Sequence, residues 1–147
     1  MTIGGVLVWI QAQWTTAGLG TAITGGLHFG DAPGGVNETA MPYVVVTVVS
    51  APVDERTSGP GTVGEKTEYS NAQIQFNLYH NEGATATSAL ADLLRNAFRN
   101  ATLTLSGADG LYCQLSVEMP IGEPGFPKVI RWTQVYDLKW SDTVVAP

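Results

Sequence analysis

The sequence has a single cysteine, only two histidines and few charges of either sign. Each scarcity closes off a class of function. Cys113 has no partner for an internal disulfide, and a chain that manages without one fits a reducing compartment such as a bacterial cytoplasm. It stands in Leu111-Tyr112-Cys113-Gln114-Leu115, a strand pattern in which it reads as a small buried apolar residue. A nucleophilic thiol needs a nearby histidine and a lowered pKa, and nothing local offers either. His28 and His80 have no second His, Cys or carboxylate at the H-x-x-x-H or C-x-x-C spacings of metal sites. Each reads as a surface or strand-end residue, and no cofactor or metal is expected.

Charged residues make up 14% of the chain, against about 25% in an average domain. Neutral surface is easier to bury against another subunit, because fewer ions must be stripped of water. The net charge is −6. The seven Lys and Arg are scattered singly, so the basic stripe of a protein that grips nucleic acid is missing. An acidic surface repels phosphate, which leaves room for DNA to pass without being held. No apolar run approaches the 18 or so residues of a membrane span. Residues 1–10 carry no Lys or Arg, unlike a signal peptide. The expectation is a soluble protein made where it works.

Catalytic motifs are also missing. The glycine-rich run Ser58-Gly59-Pro60-Gly61-Thr62-Val63-Gly64 lacks the Gly-Lys-Ser/Thr ending that cradles phosphate. No G-x-S-x-G elbow occurs. Asp54 and Glu55 are adjacent, on opposite faces of a strand, so they cannot easily share a substrate. Asn37-Glu38-Thr39 and Asn100-Ala101-Thr102 match the glycosylation pattern, read as chance matches in a chain without a signal peptide. The chain reads as a non-enzyme.

What is present is a chain of 147 residues, 44% of them hydrophobic, enough for one domain over 1–147 with a core of its own. Val6, Trp9, Ile10, Gln13 and Trp14 have helical spacing, so residues 5–17 read as a short amphipathic helix, although Val and Ile leave a strand open. Leu27-His28-Phe29-Gly30 reads as a short strand, followed by a turn at Asp31-Ala32-Pro33-Gly34-Gly35. The β-branched run Tyr43-Val44-Val45-Val46-Thr47-Val48-Val49 is apolar on both sides and predicts a central strand covered on both faces. Residues 51–66, rich in Pro, Gly and charge, predict a long protruding mobile arm.

Residues 68–79 alternate. Ala72, Ile74, Phe76 and Leu78 form a buried side, and Gln73, Gln75, Asn77 and Tyr79 a polar uncharged side that is either solvated or lines an interface or lumen. Asn81 is positioned to cap a helix whose apolar stripe is Leu90, Leu93, Leu94, Ala97 and Phe98, with Arg95 and Arg99 as cations near its C-terminal end. Asp109-Gly110 predicts a hairpin turn and 111–118 its return strand. Residues 128–140 predict a last strand, with Ile130, Trp132, Tyr136, Leu138 and Trp140 inward and Arg131, Thr133, Asp137 and Lys139 outward. Residues 141–147 read as a frayed tail. The expected fold is α+β: a mixed, mostly antiparallel sheet with two helices packed on one face and a long protruding loop.

The order of these segments carries a resemblance. The N-terminal helix, Leu27-His28-Phe29-Gly30-Asp31-Ala32-Pro33, Met41-Pro42-Tyr43-Val44-Val45-Val46, the polar arm, Ala72-Gln73-Ile74-Gln75-Phe76-Asn77-Leu78-Tyr79 and Ala91-Asp92-Leu93-Leu94 together resemble the tail-terminator and tail-completion proteins of long-tailed bacteriophages, a family that includes head–tail joining subunits. The resemblance spans roughly residues 5–140, and the apolar, glycine-containing N-terminal helix matches it least. It implies a virion assembly protein at the head–tail junction, made in the host cytoplasm. It implies a ring, commonly a hexamer, that caps the tail tube, ends its polymerisation and meets the head connector or stopper protein. DNA would pass through unbound, and no membrane is involved. The arm then supplies an expected partner interface at Asp54, Glu55, Arg56, Glu65, Lys66 and Glu68. The polar strand face supplies an expected lumen lining at Gln73, Gln75 and Asn77. Two other readings stay open: a different neck, head-completion or tail-tube subunit, or a small cytoplasmic α+β enzyme or ligand-binding domain with a pocket lined by Trp9, Trp14, Trp132 or Trp140.

Overall fold

The computed structural model describes residues 3–31, 40–50, 53–57, 65–122 and 125–145. Within them the chain runs α1 (Ile3–Thr16), α2 (Leu19–Ala22), β1 (Leu27–Phe29), β2 (Tyr43–Ser50), β3 (Val53–Thr57), β4 (Glu65–His80), α3 (Ala84–Phe98), β5 (Thr104–Leu105), β6 (Ala108–Gly122) and β7 (Ile130–Val145). The seven strands form one sheet in the order β1-β2-β4-β7-β6-β5, and β3 pairs β4. Every pairing is antiparallel except β1 with β2. A parallel pair needs a crossover rather than a hairpin, and residues 30–42 separate the two strands in sequence. The expected mixed, mostly antiparallel α+β fold is the one observed.

At the centre β4 and β7, each 16 residues long, pair without a break from Glu65↔Val145 to His80↔Ile130. Because side chains alternate along a strand, this register puts Ala72, Ile74, Phe76 and Leu78 on one side with Tyr136, Leu138 and Trp140. Those residues are buried together with Val6, Trp9, Ile10 and Trp14 of α1 and Ala91, Leu94 and Phe98 of α3. Both helices therefore cover the same face. Phe98 is the hub: its ring lies 4.7 Å from Phe76, 5.9 Å from Trp9 and 6.2 Å from Tyr136. Two side-chain bonds tie α1 to its surroundings. Trp9 Nε1 donates to the Thr102 carbonyl at 3.1 Å and Gln13 Nε2 to the Ala97 carbonyl at 2.8 Å.

Several expectations are corrected. The residues expected in a protruding arm include a strand: β3 pairs β4 from Val53↔Ser70 to Thr57↔Thr67, and β4 itself begins at Glu65. Backbone hydrogen bonding is indifferent to side-chain polarity, so a polar edge strand leaves no hydrophobic alternation to read. Residues 51, 52 and 58–64 of that arm lie outside the described residues, as do residues 32–35 of the turn expected at 31–35. The expected frayed tail holds five more strand residues, with Thr143, Val144 and Val145 paired to Thr67, Lys66 and Glu65. The strand β2 is covered on both faces only over Tyr43–Val46; Val48 and Val49 are 39% and 53% exposed.

The hairpin turn is Ser106-Gly107, not Asp109-Gly110. Leu105 pairs Ala108, and Gly107 has φ 77°. Gly110 serves a close approach instead, since a Cβ there would fall on the Leu103 carbonyl. Gly83, not Asn81, is the N-cap of α3, with φ 91° and no side-chain cap. The apolar stripe of α3 is rotated from the expected one: Thr87, Ala91, Leu94, Ala97 and Phe98 are buried, whereas Leu93 is 44% exposed. Small residues at 87 and 91 let the helix backbone approach the sheet, and Gln134 Nε2 reaches the Ala91 carbonyl at 2.9 Å.

Candidate functional site

The second face of the sheet carries no described helix. Its residues come from the intervening strand positions, and the register aligns them in rows across β2, β4, β7 and β6. One row is Tyr43, Tyr79, Arg131 and Ile121; the next is Val45, Asn77, Thr133 and Met119. Then follow Thr47, Gln75, Val135 and Val117, and after them Ser50, Gln73, Asp137 and Gln114. At the Tyr43 end this face is closed. Tyr43 stacks on Tyr79 at 4.8 Å, and Val45, Asn77 and Thr133 are buried. Toward β6 it is open, with Val117 and Met119 more than two fifths exposed.

The residues expected to line a lumen therefore do share a face, but they differ in environment. Asn77 is buried, and its Oδ1 accepts hydrogen bonds from Gln75 Nε2 at 3.0 Å and Thr133 Oγ1 at 2.9 Å. Gln73 and Gln75 are half-buried nearer the open end. There, Ser50, Asn71, Gln73, Tyr112 and Asp137 surround a cavity of about 340 Å³. Asn71 Oδ1 is buried without a hydrogen-bond partner. This cavity was illegible in the sequence. Alternation puts Asp137 on the outward side of its strand, but only the pairing of four strands brings it beside Ser50, Gln73 and Tyr112.

The six residues expected at a partner interface fall on two neighbouring strands. Asp54, Glu55 and Arg56 lie on β3, and Glu65, Lys66 and Glu68 on the first turns of pleat of β4, with Arg56 and Glu68 as Cα partners. Glu68 is also paired across to Asp142 of β7, which is buried.

A separate polar chain lies under α3. Arg95 donates to Glu118 Oε1 through Nη2 at 2.6 Å and Nε at 3.1 Å, and to Asp92 Oδ1 at 2.7 Å. Glu118 Oε2 accepts from Gln134 Nε2 at 2.5 Å, and Gln134 Oε1 accepts from Tyr136 OH at 2.7 Å. Arg95 is thus more than a helix-end charge: its pKa is raised by the hydrogen bonds to Glu118 and Asp92. Burial raises the Tyr136 hydroxyl and pushes the Cys113 thiol up to about 12. Cys113 is 1% exposed, so at neutral pH it is a protonated thiol inside the core, as expected. Every member of the chain is satisfied by another, an arrangement that fixes a helix to a sheet.

His28 Nε2 donates to the Gly25 carbonyl at 2.9 Å and its ring meets Tyr43 edge-on. His80 ends β4 but is buried rather than on the surface, with Nδ1 unpartnered. Trp9, Trp14 and Trp140 are core residues and Trp132 packs against them. Among the described residues no three His, Cys, Asp or Glu side chains are grouped to hold a metal ion. No helix among them is long and apolar enough to cross a membrane.

No protein-family model matches the chain, and no curated protein does. Among solved structures it is similar to a chain in the virion of a native gene transfer agent (GTA) particle. The superposition has a TM-score of 0.69 and covers 95% of this chain and 96% of that one, at 16% sequence identity. At that identity the likeness is one of fold.

Proposed function

We propose that this chain is a structural subunit of a phage-like virion, and that within it the chain acts as a tail terminator: a ring, commonly of six copies, that caps the tail tube, stops its growth and offers a surface to the head connector. The observation that carries the reading is the fold shared along nearly the whole length of both chains with a component of a virion. The physical character of the surface agrees with a life among other subunits. The helix α1 has no charged residue in 14 positions, and Val8 on it is 71% exposed. Heterologous contacts between copies close into a ring when the rotation between neighbours permits. Gln75 would present a polar, uncharged group to DNA passing through, whereas Gln73 lines the cavity with Asp137 and Asn77 is already committed to Gln75 and Thr133. The polar strands β3 and β4, with Asp54 to Arg56 and Glu65 to Glu68, form the expected contact to the tail tube protein or to a neighbouring copy. On this reading the protein is not an enzyme, and it resides in the virion at the head–tail junction.

The test is electron microscopy of the concentrated protein, alone and with purified tail tubes. Closed rings with a central hole wide enough for duplex DNA, sitting on the ends of tubes, are expected. Incorporation along the length of tubes would instead make the chain a tube subunit, and attachment only to head portals a neck or head-completion subunit. Absence from every virion fraction would overturn the virion reading altogether.

A further inference from the structure

Asp137 and Arg99 are oppositely charged, and neither has an ion pair among the described residues. Asp137 lines the cavity on the second face of the sheet with Ser50, Asn71, Gln73 and Tyr112, and among the described residues it makes no ion pair. Lys139, on the same side of β7, is turned away: its ammonium sits 5.5 Å over the ring of Tyr69. Asn71 Oδ1 in the cavity wall is an acceptor whose hydrogen bond is unmade. The cavity thus offers a carboxylate and a spare amide oxygen to an incoming donor. Its own Ser50 and Tyr112 hydroxyls can turn to accept as well.

Arg99 is the complementary group. It directly follows α3, is exposed, and among the described residues forms no ion pair; its backbone N–H closes the helix on the Arg95 carbonyl at 2.8 Å. A guanidinium is planar and carries five N–H donors, so it can bind a carboxylate and an amide oxygen together. Lys128 is also exposed, but an ammonium is a more strongly hydrated point charge and matches that acceptor pair less well. Arg99 lies on the helix-bearing side and Asp137 on the opposite face, so one molecule cannot join them.

We propose that the cavity at Asp137 receives the guanidinium of Arg99 from a second copy of this chain. The contact is heterologous, each copy giving Arg99 on one side and Asp137 on the other, so it repeats from neighbour to neighbour and can close. This deepens the ring reading and rests on it. The paired charges also set register, because a copy docked otherwise would strand both ions.

Two measurements test it on the full chain. The first follows backbone amide shifts at Asn71, Gln73 and Asp137 by NMR during titration with N-acetyl-arginine amide, with N-acetyl-lysine amide for comparison. The arginine probe is expected to shift all three sites in the wild type, the lysine probe to shift them less, and Asp137→Asn to abolish the response. No shift overturns the cavity as a guanidinium site, whatever the chain assembles into. The second compares self-association by sedimentation velocity for the wild type, Arg99→Glu, Asp137→Arg and the double exchange. Each single change is expected to raise the concentration needed for assembly about tenfold or more, and the exchange to restore most of it. Rings that form equally well in both single variants overturn Arg99 as the occupant and leave the ring standing. A wild type that never associates, alone or on tail tubes, overturns the ring and the Arg99 pairing together, and the probe titration then decides the cavity separately.

Discussion

Arg95 on α3 and Glu118 on β6 meet at a single carboxylate oxygen, Glu118 Oε1, which takes both the Nη2 and the Nε protons of the arginine at 2.6 and 3.1 Å. The other oxygen, Oε2, holds the buried Gln134 amide. One carboxylate therefore joins the helix, the edge region of the sheet and its central strand. Both side chains are about one-fifth exposed, so water screens the pair only in part.

Removing this junction should be costly in proportion to what is stranded. Glu118→Ala leaves Arg95 without its main partner and the Gln134 amide with only the Ala91 carbonyl, and is expected to destabilise the fold by about 2–3 kcal/mol. Asp92→Ala removes a partner whose side chain is 57% exposed, and should change stability by less than about 0.5 kcal/mol. Urea unfolding followed by tryptophan fluorescence measures both. Equal effects would mean that Glu118 is not the junction.

The rotated stripe of α3 makes a paired prediction. Phe98→Ala removes a fully buried ring that touches Trp9, Phe76 and Tyr136, and should cost about 3–5 kcal/mol. Leu93→Ala, on a side chain 44% exposed, should cost less than about 1 kcal/mol. The same denaturation assay reads both, and a large loss at Leu93 would restore the stripe expected from spacing alone.

Glycine positions separate by space. A Cβ at Gly25 would land on the Ala40 and Pro42 carbonyls, where the Gly25 N–H donates to the Pro42 carbonyl at 2.7 Å. Gly25→Ala must push residues 40–43 away from Gly25 and is expected to cost about 2 kcal/mol or more. Gly122→Ala meets nothing within 4 Å, and should be neutral within about 0.5 kcal/mol. Thermal melts of the two variants against the wild type check the contrast.

Alkaline stability follows from the buried thiol. Burial pushes Cys113 from 9.0 in the open chain up to about 12 in the fold. Between those values the unfolded chain has released a proton that the folded chain keeps, so the unfolded state is favoured as pH rises. The thiol's contribution is full below pH 9 and is lost progressively toward pH 12, and the raised Tyr136 hydroxyl acts in the same direction. Cys113→Ala should flatten the fall in urea midpoint across that window. In the native protein at pH 8 the thiol should react with a disulfide reagent only at the rate of unfolding; prompt reaction would show that the site is open.

Much of the architecture was legible from periodicity because the burial there is one-sided. The alternation of residues 72–79 and 130–140 reported the two central strands and their inward faces, since each strand has one face on the core and one away from it. The helical spacing of Val6, Trp9, Ile10 and Trp14 reported α1 for the same reason. Signals failed where a residue serves the backbone or a distant neighbour. The strand β3 is polar in sequence, so no hydrophobic alternation announced its pairing with β4. Asp109-Gly110 looks like a turn, but Gly110 is a glycine because Leu103 crosses it. Asn81 looks like a cap, yet the helix begins from Gly83 at a positive φ.

By itself the sequence determined the class of the protein: an α+β chain with a low charge content, one cysteine that packs, and alternating central strands. These depend on local spacing and composition, which a linear string carries. Only the tertiary structure decided that Glu118 clamps α3, that Asn77 is buried while Gln73 faces the cavity, and that Asp137 and Arg99, with no ion pair among the described residues, lie on opposite sides of the sheet. Those facts depend on register between strands many residues apart, where a shift of one residue turns every side chain to the other face, and no local pattern encodes that choice.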